Sequence, residues 1–139
     1  MLIQSRTDAR AAFRDIWAKA RARQLLEPME QIVAAVIALH PEYHPLLESD
    51  AELADEYTPE RGETNPFLHM GLHIAIREQI GAGRPAGVGG IRERLLARYG
   101  DEHAVEHKMV ECLAVTLWEA QNAGTLPDDQ AYLERLKRL

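Results

Sequence analysis

The chain has one cysteine, Cys112, and only two serines, Ser5 and Ser49. A single thiol excludes an internal disulfide, and neither serine stands in the GxSxG elbow of a serine hydrolase. Aromatic residues make up 6% of the sequence, and β-branched residues are few beside Ala, Leu, Glu and Arg. That balance argues against a sheet-rich core and points to helices. Positive charge is in deficit, with a formal net charge of −6. Without a clustered basic face, nucleic acid is not an expected partner. No apolar run reaches the roughly 18–20 residues of a membrane span, and the N-terminal MLIQSRTDAR lacks a signal-peptide core. A soluble, cytoplasmic protein with no membrane contact is expected.

What is present reads as one all-α domain over residues 1–139, a compact helical bundle of about five to six helices. A first helix is expected over 5–24, where Ser5 and Asp8 have capping-box spacing and Ala12, Phe13, Ile16, Trp17 and Ala20 recur with helical period. Its basic C-terminal residues suit the helix dipole. Pro28 opens a second helix that Pro41 should stop or kink, because proline disfavours the α conformation at the residue before it. Residues 49–64 read as an acidic loop with a short helical turn at 51–56. Asn65 and Pro66 then cap and start a helix over 65–81 that is apolar almost all the way round. The glycine-rich GAGRPAGVGG lacks the GxxxxGK[ST] pattern of a phosphate-binding loop and reads as a connection. A short helix follows over 91–99. Asp101 caps the longest helix, over 101–123, which is expected to pack on two sides and to keep Cys112 as inert core. Residues 127–139 supply a last amphipathic helix.

The pattern that carries chemistry is in the histidines. All six fall into three pairs at spacing four: His40 and His44, His69 and His73, His103 and His107. Random placement at this frequency yields roughly a quarter of one such pair. On a continuous helix, residues four apart lie one above the other, so two imidazoles can grip one ion. Imidazole suits zinc, iron, nickel and copper. Pro41 and Pro45 interrupt the first pair, so its spacing alone does not place both rings on one face. The other two pairs lie on the helices expected to be most buried, with Glu106 and Glu111 close to the last pair. These features predict a transition-metal site for one or two ions, iron or zinc. Its principal ligands are His69, His73, His103 and His107, and His40, His44, Glu106 and Glu111 are further candidates. Such a site supports oxygen binding, redox chemistry or hydrolysis alike. The spacings Glu-x-x-His of di-iron bundles and His-Glu-x-x-His of metalloproteases are absent. The alternative is a metal-free interaction module, such as a homodimer, whose histidines form a packed polar seam. Arg77 and Glu78, charged residues on an otherwise apolar helix, read as a solvated helix end or as ligand contacts.

The segments HPEYHPLLE, TNPFLHMGLHIAIREQ and EHKMVECLAVTLWEAQ together resemble the DUF1841 family of bacterial proteins, over nearly the whole chain. The resemblance implies a small, helical, cytoplasmic protein of bacterial origin. It implies no particular activity and no catalytic residues, so function rests on the histidines.

Overall fold

Proline and glycine set the boundaries of the helices. A computed structural model describes residues 6–49 and 65–139. The expected cap at Ser5 and the expected turn at 51–56 lie outside the described residues. Those residues form seven α-helices and one 3-10 turn and contain no strand. The all-α class therefore holds, with one or two more helices than expected. The extra one arises at Pro41. The second helix stops there, the chain makes a 3-10 turn over Pro41–Tyr43, and a separate short helix forms over His44–Glu48. No described helix is long and apolar enough to cross a membrane. The chain divides into two compact units, Met1–Ile74 and Ala75–Leu139, each described by itself.

The first unit contains α1 (Arg6–Arg21), α2 (Pro28–Ala38), the 3-10 turn, α3 (His44–Glu48) and the first turns of α4 (Pro66–Ala82). Its core joins Val33, Val36 and Ile37 of α2, Leu47 of α3, and Phe67, Met70 and Ile74 of α4; Phe13, Ile16 and Trp17 of α1 pack against it. Fully burying each such side chain contributes about 1.5–3 kcal/mol. Phe13 meets Phe67 edge to face at 5.7 Å between ring centroids. Lys19 and Glu30 join α1 to α2 at 2.9 Å, and Arg21 reaches Glu48 of α3 at 3.1 Å. The Glu27 backbone N–H and the Lys19 ammonium hold the Glu30 carboxyl below its ordinary range. At the start of α4, Asn65 Oδ1 accepts from the backbone N–H groups of Phe67 and Leu68 at 3.0 and 3.1 Å. Asn65→Ala removes both bonds and should cost about 1 kcal/mol, read as a lower unfolding midpoint in urea at an unchanged m-value.

The second unit holds the rest of α4 with α5 (Val88–Tyr99), α6 (Glu102–Ala123) and α7 (Asp129–Lys137). The helix expected over 91–99 starts three residues earlier, after Gly87, whose φ of 95° suits only a residue without a Cβ. Asp101 caps α6 as expected, accepting from the N–H groups of His103 and Ala104. Gly100 and Gly124 end α5 and α6 in the left-handed conformation. Val105, Met109, Cys112, Leu113 and Thr116 of α6 are buried, as are Leu95 of α5 and Tyr132 and Leu136 of α7. The expected second buried face of α6 is not continuous: Trp118 is 64% exposed and His103 is exposed. The Tyr132 hydroxyl donates to Gln79 Oε1 at 2.6 Å, and Arg135 donates to Thr116 Oγ1 and Glu119 Oε2.

Burial pushes the Cys112 thiol above its ordinary range, and the neighbouring Glu111 carboxylate adds to the shift. Because the thiolate is the reactive form, Cys112 should resist a disulfide reagent in the folded protein. Complete labelling is expected only on denaturation, counted as thiol released per chain.

Candidate metal centre

The site starts from Pro41. By keeping residue 40 out of the α conformation, it places His40 just beyond α2 at φ −125° and ψ 65°. The His40 ring binds back to the last turn of α2, where Nδ1 donates to the Val36 carbonyl at 2.7 Å beside the Leu39 backbone N–H, which donates to the same oxygen. A carbonyl only accepts, so the proton sits on Nδ1 and the lone pair of the neutral ring on Nε2. This backbone anchor is what a metal-binding histidine uses to fix its tautomer and orientation. The ring is 2% exposed and stacks on Tyr43 at 5.7 Å with an interplanar angle of 8°. Burial, and then the Glu42 carboxylate, push the Tyr43 phenol above its ordinary range.

On α4, His69 and His73 stand one turn apart on one face, as spacing four on an unbroken helix requires. His73 is fully buried and His69 half-buried. The His40 centroid lies 5.1 Å from that of His69 and 4.7 Å from that of His73. Each of the three rings can offer one nitrogen so that the chosen atoms lie within 4.8 Å of one another. His69 Nε2 and His73 Nε2 are already 3.3 Å apart. Two nitrogens bound to one tetrahedral zinc at about 2.0–2.1 Å are separated by about 3.3–3.4 Å. The two lone pairs therefore have the spacing needed to meet on one ion. In the neutral, metal-free protein the same spacing serves an N–H···N hydrogen bond.

Of the other sequence candidates, His44 belongs to the same unit. His44 lies on the far side of the 3-10 turn from His40, so their spacing of four does not align them. Its Nε2 donates to the Ile37 carbonyl at 2.8 Å, and its ring packs on Trp17 at 4.5 Å, which is a structural role. His103 and His107 face each other on α6 at 4.5 Å between centroids, within the second unit. Glu106 is buried, with its carboxylate oxygens 3.3 and 3.2 Å from Arg77 Nε, and Glu111 is exposed. That ion pair accounts for the charge of Arg77 on an otherwise apolar helix.

Within the first unit, His69 and His73 meet His40, which the sequence offers as a further candidate. Sequence reasoning missed Tyr43. The signal available for it was its place three residues after His40 across a proline turn, which allows an aromatic ring to stack back on the histidine.

Known proteins add family membership and little else. No curated protein and no solved structure matches the sequence. A family model does, described as Domain of unknown function (DUF1841), and it aligns with residues 5–138. A match over nearly the full length places the chain in the DUF1841 family.

Proposed function

We propose that this protein binds a transition-metal ion, zinc or iron, through the imidazoles of His40, His69 and His73. The observation that carries the reading is the convergence of three buried or half-buried rings, one with its tautomer set by the Val36 carbonyl. An all-imidazole donor set selects zinc, iron, nickel or copper over magnesium and calcium, which prefer oxygen ligands. His107 remains a candidate further ligand on the strength of the sequence pairing, and its alanine variant is titrated alongside the others.

The second reading is a metal-free module in which the rings make a hydrogen-bonded polar seam, favoured by the 3.3 Å contact between His69 and His73. Zinc titration of the full-length, untagged, chelator-stripped chain separates the two. Metal binding predicts saturation near one equivalent, with proton release as the ligands lose any bound protons. Uptake below about one-tenth of an equivalent supports the polar seam.

A further inference from the structure

We infer that Tyr43 is a positioning residue of the metal site, setting the plane in which the His40 ring presents Nε2 and bracing His69 at the same time. The inference rests on the metal reading above and concerns what holds the ligands. The Tyr43 ring lies parallel to that of His40, at 8° and 5.7 Å between centroids. It meets the His69 ring edge to face, at 74° and 6.2 Å. One aromatic side chain thus stands against two of the three imidazoles, and all of these residues belong to the first unit.

The local chain suits Tyr43 to this task. Pro41 has a fixed φ, and the Tyr43 backbone N–H donates to the His40 carbonyl at 2.9 Å, so histidine and tyrosine are the two ends of one closed turn. Tyr43 also packs against the core of the unit, which holds its own ring in place. The bond from His40 Nδ1 to the Val36 carbonyl fixes which nitrogen carries the lone pair, but a hydrogen bond tolerates some tilting of the ring about it. An offset-stacked neighbour favours the parallel arrangement and resists that tilt. A ligand oriented before the ion arrives binds it more tightly, because its ordering is already complete in the apo protein.

The test is zinc and cobalt(II) binding by the full-length, untagged, chelator-stripped chain, with cobalt(II) as the visibly absorbing stand-in for zinc. Tyr43→Leu keeps an apolar side chain, removes the ring, and should weaken zinc binding at least about tenfold. It should also shift the cobalt(II) absorption band, which reports ligand geometry. Tyr43→Phe keeps the ring and should restore both the native affinity and the native band. A purely structural ring would instead lower stability in Tyr43→Leu and leave affinity and band unchanged, which overturns the inference. Tyr43→Phe as weak as Tyr43→Leu also overturns it, by assigning the effect to the hydroxyl.

If Tyr43→Leu does not fold, ring-proton contacts between Tyr43 and His40 in the native chain decide the matter. Their persistence in the zinc-bound form supports the inference, and separation of the rings on zinc binding overturns it. Native saturation near one equivalent, matched by Tyr43→Leu, leaves the metal site standing and removes only the role of Tyr43. A native chain that takes up no zinc removes both.

Discussion

His73→Ala should weaken zinc binding by at least about a hundredfold, since loss of even an outer-shell partner of a metal ligand costs about 10–100-fold. His73 is fully buried, contacts both other rings of the cluster, and lies midway along α4. His40→Ala should behave in the same way, with the added loss of the bond to the Val36 carbonyl. His44→Ala is the control. It should leave affinity unchanged while costing about 1 kcal/mol of stability, because its ring serves the Ile37 carbonyl and Trp17. Competition with a chromophoric chelator reads all three variants. Equal affinity for His73→Ala and the native chain contradicts the assignment.

Zinc should also stabilise the fold strongly. His40 follows α2, whereas His69 and His73 sit on α4, beyond the intervening α3 and the acidic stretch. The unfolded chain does not hold these groups together, so the ion binds mainly the native state. At a free concentration about a thousand times Kd, that linkage is worth about 4 kcal/mol. For a chain of this size the thermal midpoint should rise by roughly 10 °C. Chelator should reverse the rise, and His73→Ala should abolish it. A midpoint insensitive to zinc in the native chain would count against a site built in the folded state.

What could be read from the sequence follows from how local each signal is. Asn65 and Asp101 cap α4 and α6 where expected, because a cap is decided by a residue and the next few backbone N–H groups. Pro41 ended α2 where expected for the same reason. The alignment of His69 with His73 was legible because α4 is unbroken. The contact of His40 with that pair was not. His40 reaches it through a turn and a tertiary contact that no periodicity encodes. The Arg77–Glu106 pair was hidden in the same way, since each charge alone resembled a solvated residue or a metal ligand. Tyr132 and Gln79 likewise meet only through the packing of the second unit.

The most direct measurement of the central claim is a long-range 15N–1H correlation spectrum of the histidine rings in the full-length chain, before and after one equivalent of zinc. The apo protein should show His40 protonated on Nδ1 and His44 on Nε2, as their bonds to the Val36 and Ile37 carbonyls require. Zinc should shift one ring nitrogen each of His40, His69 and His73, with His40 binding through Nε2, and leave His44 as it was. Three unshifted rings at saturating zinc, or shifts confined to other histidines, would contradict the account.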